Sequence, residues 1–564
     1  MTRAVADRQH AVAAPFSPWP SMALHDVLDR AITRWPERPF VITDERTWTY
    51  AEVGAWSGRI AAGLQRRGIQ AGERVALIMA NYPEFVAIKY ALSRIGAVAV
   101  PLNIFNQKAE IQYLLDQSEC RALVTMDAFR GLDYLDMLRT IAPGWPQTGR
   151  ITPALEQVFV FPAEGSGVPG GLVPFAELEA GLEPVAIFPK VDPGDLCDII
   201  YTSGTSGRPK GVELTHDMLT RTAFGSAYAR AFEDGHRMLF SLPMFHVFGY
   251  VEGLLAVPYV GGAIVPRLRF DADDTLDAIQ RHRAEDMLSI PTTSLALIDA
   301  QKARPRDLAS LRAILASGGR APTRIWQEIR DAFGVEEITT GYGMTETTAS
   351  TTVTRPDDPA ERVAGTNGRM RDVGPAGNPA LGGRLVDYQV ADLETAITLP
   401  PNCVGELLAR GPGVTNGYFR KPAETAAAFT DDGWFRTGDL GTIDEDGYIT
   451  LIGRSKESYR CGGELVLPSE VEDLLTSDPA VLHAHVVPVP DERMGEIGVA
   501  FIIPREGEVA DPVRLERLVR GNLARFKVPR HFLIVDPSEI PVTASGRPRK
   551  FLMTEIAQRK LELS

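Results

Sequence analysis

Cysteine is scarce in this chain, with four among 564 residues (Cys120, Cys197, Cys403 and Cys461), none of them in a Cys-x-x-Cys pair. The nine histidines do not cluster either, which excludes the usual structural zinc spacings and points to reduced thiols in a cytoplasmic setting. No run approaches the roughly 20 apolar residues needed to span a bilayer, and MTRAVADRQHAVAAPFSPWPSM at the start lacks an apolar stretch of signal-peptide length. A cytoplasmic protein with no membrane span is expected. Basic charge is in deficit, 59 Lys and Arg against 73 Asp and Glu for a net −14, which argues against a nucleic-acid partner.

A chain of this length exceeds one core and suggests three or four folding units at roughly 100 to 200 residues each. Residues 1–20 are polar with alanine and proline, so a flexible N-terminal arm is expected. Apolar spacing at Leu24, Val27, Leu28 and Ile32 predicts a helix ending at Pro36. From Thr47 to Asn103 helical and strand patterns alternate, the rhythm of a sheet with helices on its faces. A second alternating region, from about Val191 to Pro401, offers buried strands at 238–242, 262–265, 287–290 and 311–316. From Gly405 shorter glycine-punctuated segments suggest a small β-rich subdomain, and the last 110 or so residues read as a compact α+β unit.

The chain is organised around Tyr201–His216, YTSGTSGRPKGVELTH, which follows the apolar Leu196–Ile200. Strand, glycine-rich loop, then helix or strand is the expected order. Such a loop can lay backbone N–H groups and the hydroxyls of Thr202, Ser203, Thr205 and Ser206 around phosphate oxygens, with Gly204 and Gly207 allowing close approach and Lys210 adding a movable cation. It is not a Walker A loop, because Lys210 follows Pro209, and no Gly-x-Gly-x-x-Gly overlaps it. Composition alone also allows a mobile surface loop. Further along stand GYGMTETTAS (341–350), WFRTGDL (434–440) and GRSKESYRCGGE (453–464). Taken singly, a Met-Thr-Glu or a Gly-Asp is an ordinary solvated turn.

Together, in this order and across most of the chain, these four segments resemble the signatures of the adenylate-forming superfamily, which includes acyl-CoA synthetases, aryl-acid ligases, luciferases and the adenylation domains of peptide synthetases. The resemblance implies an α/β fold: a large multi-subdomain N-terminal α/β domain over 21–453 with a distorted β-barrel-like subdomain, a hinge at 454–456, and a small mobile α+β C-terminal domain over 457–564. It implies that Tyr342 stacks on adenine, with Gly319 and Gly343 beside the nucleotide, that Thr345 meets the α-phosphate, and that Glu346 holds magnesium, a hard cation content with one carboxylate plus phosphate oxygens and water. Asp439 would accept the ribose hydroxyls, Arg454 would stand near the adenylate, Lys456 would be the hinge, and Gly462 and Gly463 would line a pantetheine tunnel in a CoA-using member. The acid site would draw on His246, Phe248, Tyr250, Gly318 and Gly319. His246 falls where the family places its carboxylate gate, and FHVFG has no aspartate to hold an α-ammonium, so an uncharged acyl or aryl chain is expected.

One departure stands out. Where the family reads Pro-x-Thr-x-x-Gly-Lys, this chain reads PVTASGRPRK, so that Arg547 occupies the place of the catalytic lysine and Lys550 follows three residues on. Arginine is planar, forked and bulkier, and the exchange is not conservative at a positioned site. The expected function is ATP-dependent activation of a carboxylic acid, with ATP, Mg2+ and CoA as cofactors and CoA or an amine as acceptor, in a freestanding monomer or homodimer. The rivals are an amide-forming or adenylate-only ligase, and a nucleotide-binding protein with adenylation impaired at Arg547.

Overall fold

In the computed structural model the described residues are 4–164, 167–180, 188–202, 208–317, 325–393, 395–542 and 548–562. Near-continuous apolar runs become the central strands of two seven-stranded sheets. Val98–Pro101 and Ala122–Met126 are buried at every position, as strands covered on both faces must be. One sheet orders its strands Lys210–Thr215, Leu196–Thr202, Val98–Pro101, Arg74–Ile78, Ala122–Met126, Gln157–Phe161 and Val173–Pro174, parallel except where the first two pair. The other runs Glu337–Thr339, Ala313–Ala316, Asp286–Ser289, Arg237–Phe240, Ala263–Pro266, Pro39–Ile42 and Thr47–Thr49, with only the last pair antiparallel. Four of these lie within two residues of the expected starts at 238, 262, 287 and 311. The helix Leu24–Arg34 ends before Pro36.

Two differences from expectation concern the ends of this large unit. Residues 1–20 do not form a loose arm where they are described. Val5–Ala13 is helical, Val12 and Phe16 are buried, and Phe16 and Trp19 set their rings edge-on against Phe224 at 5.4 and 5.1 Å. Buried aromatic area outweighs a proline- and alanine-rich composition. The strands Asp387–Ala391, Gly405–Arg410, Phe435–Ile443 and Ile449–Arg454 form an open antiparallel sheet. No closed barrel is present among the described residues.

The C-terminal unit has its own core, from Tyr459 to Ala557, with no contribution from earlier residues. Its sheet pairs Val481–Asp491 with Gly495–Pro504 and adds three shorter strands, covered by Pro468–Thr476, Pro512–Asn522 and Lys550–Glu562. Among the described residues no helix is long and apolar enough to cross a membrane.

One buried and one half-buried imidazole, His216 and His485, lie in the two units. Burial pushes His216 down to about 3 and His485 to about 4. Both stay neutral in the folded chain while their unfolded counterparts take up a proton below about 6.5, so folding loses free energy as pH falls below that value. For His216 the loss at pH 5 is about 2 kcal/mol. Urea unfolding at pH 7 and pH 5 should show this loss, and His216→Gln should reduce the difference; an unchanged pH slope in the variant would contradict it.

Candidate active site

The phosphate-loop segment is a hairpin in which Leu196–Thr202 pairs antiparallel with Lys210–Thr215 and Thr202 faces Lys210. The helix His216–Ala229 follows, its first turn capped by Thr215. Ser203, Gly204, Thr205, Ser206 and Gly207 lie outside the described residues, as do Gly318, Gly319 and Arg547. The Lys210 ammonium stands 4.5 Å from the centre of the Tyr418 ring, and the Tyr418 hydroxyl donates to Glu346 Oε1 at 3.1 Å. Backbone bonds close the link: Phe419 N to Gly211 O at 2.8 Å and Thr415 N to Glu346 O at 2.8 Å.

Glu346 and Thr345 occupy a tight turn, Thr345–Thr347, between the strands Gly341–Met344 and Ala349–Val353. The strands flanking the turn are too close-packed for a side chain at Gly343, where a Cβ would lie 1.8 Å from the Ala349 carbonyl oxygen. Both Thr345 and Glu346 are buried. Burial pushes the Glu346 carboxyl up, the mark of a charge short of compensation. A single buried carboxylate of this kind suits magnesium, which takes its remaining ligands from phosphate and water. Among the described residues no group of three or more His, Cys, Asp or Glu could hold a metal by itself.

Tyr342, on the strand leading to this turn, is also buried, and its hydroxyl donates to Asp439 Oδ2 at 2.7 Å. The other oxygen, Oδ1, meets Arg454 Nε at 3.0 Å, and Asp439 and Arg454 are direct cross-strand partners. Arg454 is held above its usual range chiefly by Asp439, with smaller contributions from Glu457, Tyr342 and Glu346, so these groups share one field. Just beyond, Ser455 donates from its N and its Oγ to Gly438 O at 3.0 and 3.2 Å. Lys456 therefore sits in a turn anchored to the segment that presents Asp439. Gly462 and Gly463 form the two-residue turn between Tyr459–Cys461 and Glu464–Val466, at φ of 63° and 89°, where side chains other than glycine are strained.

On the acid side, His246 N bonds to Pro243 O at 3.2 Å, and Phe248 N donates to His246 Nδ1 at 3.3 Å, opening a π-helix at Phe248–Leu254. Such wide turns occur mostly at functional sites. Asn81, which the motif reading missed, holds the preceding loop: its Nδ2 donates to Leu242 O and Arg267 O at 2.9 and 3.1 Å, and its Oδ1 accepts from Met244 N at 2.8 Å. Tyr250 is not on an open wall with Phe248. It is fully buried, its ring over the Lys89 ammonium at 4.8 Å, where Lys89 pairs with Asp198. Residues two apart on a helix face nearly opposite ways. Lys550, the alternative cation near Arg547, is held by Glu472 and Glu457 at 2.7 and 3.2 Å.

Residues 28–419 match the AMP-binding enzyme family and residues 470–547 its C-terminal domain. A propanoyl:CoA ligase of Mycobacterium tuberculosis, whose acid carries a 7a-methyl-1,5-dioxo-octahydroindene, is 34% identical over 532 residues, covering 94% of this chain and 98% of that protein. The indoleacetate–CoA ligase of Aromatoleum aromaticum is 33% identical over 551 residues, 96% and 99% of the two chains. The ATP-bound structure of MatB from Rhodopseudomonas palustris superposes with a TM-score of 0.83 at 27% identity, covering 95% of this chain and 99% of that one. The chain belongs to the AMP-binding enzyme family, within the adenylate-forming superfamily. It is thereby an ATP-dependent, AMP-forming acid ligase, of a family that requires magnesium.

The undercompensated charge of Glu346 leads to a separation of stability from function. Glu346→Gln, which keeps the shape and removes the charge, should leave the melting temperature of the ligand-free protein equal or higher. It should also abolish most of the extra stabilisation that magnesium and ATP give the wild type. Thermal shift with and without both ligands measures this, and a lower ligand-free melting point with an intact ligand shift would refute it.

Proposed function

We propose that this protein couples an uncharged acyl or aryl carboxylic acid to CoA through an acyl-adenylate. The observation that carries the reading is the convergence of Tyr342, Asp439 and Arg454 on one side of the Thr345–Glu346 turn and of Lys210 on the other. That spacing suits a nucleotide laid from ribose to phosphates. Asp439 receives the ribose hydroxyls, displacing the Tyr342 and Arg454 contacts in part; Tyr342 offers its ring to adenine. Thr345 meets the α-phosphate, and the Thr202–Lys210 loop meets the terminal phosphates. Glu346 would hold magnesium, which would supply neutralisation of phosphate charge there.

In the first step an oxygen of the acid's carboxylate attacks the α-phosphorus and pyrophosphate leaves, forming the mixed anhydride. His246 stands where the carboxylate enters. The charge that develops on the phosphoryl oxygens requires a cation from the C-terminal unit, and Arg547 is the proposed donor. Lys550 is engaged by Glu457 and Glu472, an arrangement that favours Arg547 for this task. In the second step the CoA thiolate attacks the acyl carbon and AMP leaves, with Gly462 and Gly463 beside the thiol's path after the C-terminal unit turns about Lys456. Two relatives named as CoA ligases, matched over nearly their whole lengths, support a thiol acceptor over an amine, and the absence of an acidic residue in FHVFG supports an uncharged chain.

A pyrophosphate-release screen over fatty, aryl and fused-ring acids, with and without CoA, tests the reading. Pyrophosphate and AMP with at least one such acid, and thioester only with CoA, is the expected result; product with amines and none with CoA would overturn it. Within the active pair, Arg547→Ala should lower adenylation about 100- to 1000-fold, the usual effect of removing a well-placed donor from developing charge. Lys550→Ala should cost far less in pyrophosphate exchange; the reverse ranking would reassign the cation. Lys456→Pro should slow thioester formation from supplied acyl-adenylate more than it slows pyrophosphate exchange; equal losses would argue against rotation at this turn.

A further inference from the structure

The π-helix that begins beside His246 carries a carboxylate the reaction does not use. Glu252, one turn beyond Phe248, is fully buried and pairs with the buried Arg371. Glu252 Oε1 also accepts from Ser350 N at 3.1 Å, and Ser350 is the strand partner of Gly343, next to Tyr342. Arg371 lies along the helix His216–Ala229: its Nη2 donates to Thr222 O at 3.3 Å, and its Nε would be 3.5 Å from a Cβ on Gly225. The pair thus sits where the π-helix, the strand after the Thr345–Glu346 turn and the helix after the phosphate loop meet, on the side of the site assigned to the acid.

Three features set it apart from a structural ion pair. A pair kept for stability is expected to be short and forked, at about 2.7 to 2.9 Å, whereas Arg371 Nη1 reaches Glu252 at 3.3 and 3.4 Å. Its bond to Thr222 O is no shorter. Two hydroxyls of the same helix, Thr222 Oγ1 and Ser226 Oγ, are buried with no partner among the described residues, and residues 222, 225 and 226 fall on the face along which Arg371 runs. Buried polar atoms are rarely left unpaired without cause, and a buried ion pair gives little net stability against apolar residues of equal volume. The cluster is an under-satisfied set of buried donors beside the π-helix that follows His246.

We infer that Glu252 and Arg371 determine specificity for the acid, Arg371 donating, with the Thr222 hydroxyl, to a neutral oxygen acceptor such as a ketone carried on the acid remote from its carboxylate. Glu252 keeps Arg371 charged and oriented and excludes a second carboxylate by repulsion. The inference rests on the acid-ligase reading and narrows it. A site built to hydrogen-bond a substrate group rejects the analogue that lacks it far more strongly than an apolar pocket rejects a missing methylene.

The test uses matched acids differing only in a distal ketone: octanoate with 7-oxooctanoate, 3-(4-ethylphenyl)propanoate with 3-(4-acetylphenyl)propanoate, and a fused-ring propanoate with its oxo derivative. The wild type should favour the oxo acid by about tenfold or more in kcat/KM for pyrophosphate release on the best scaffold. Thr222→Val, a mild change, should reduce that ratio, and Glu252→Leu combined with Arg371→Met should erase it or invert it. ATP binding by both variants, measured by calorimetry, reports that the nucleotide side is folded. Equal use of oxo and parent acids by the wild type on every scaffold, or a ratio unmoved in both variants, would overturn the assignment. Failure of every acid to release pyrophosphate would instead remove the ligase reading, and this inference with it.

Discussion

The Asp439 carboxylate holds three parts of the site together. One oxygen takes the hydroxyl of Tyr342 and the other the guanidinium of Arg454, so the tight turn bearing Glu346, the open four-stranded sheet and the turn into the C-terminal unit share a single buried anion. Charge-assisted bonds of this kind are about twice as strong as neutral ones. They also leave little slack: on the proposed nucleotide placement a ribose would claim the same oxygens, and the tyrosine and the arginine would both have to adjust. Nucleotide arrival would then be mechanically connected to the turn where the two units join, with Ser455 tied back to Gly438 beside it.

Much of this was legible in the sequence because the relevant signals are local. The buried strands announced themselves as apolar runs, while the phosphate-loop hairpin, the Thr345–Glu346 turn and the Asp439 strand, ordinary turns when taken singly, stood out by their order along the chain. The misreadings have physical reasons. Tyr250 was placed in the acid site with Phe248, but two residues apart on a helix face nearly opposite ways. The N-terminal residues looked unstructured by composition, yet Phe16 and Trp19 bury against Phe224. An open sheet appeared in place of a barrel because strand count and glycine punctuation do not specify closure.

Other features were beyond sequence reading altogether. Glu252 and Arg371 stand 119 residues apart, and Asn81 and Met244 are separated by 163; neither pair carries a spacing that would draw attention. Lys550 follows the place of the missing lysine by three residues, and nothing in the sequence shows that Glu457 and Glu472 engage it.

The N-terminal aromatic packing has a bearing on the acid side of the molecule. Phe16 and Trp19 press on Phe224, and the helix holding Phe224 also holds Thr222 and the backbone along which Arg371 lies. One side of that helix is thus set by the first twenty residues and the other meets Arg371, which pairs with Glu252. On the role inferred for that pair, shortening the chain, or fusing bulk to its first helix, would become a way of retuning which acids are accepted, at a distance from every residue that would touch them.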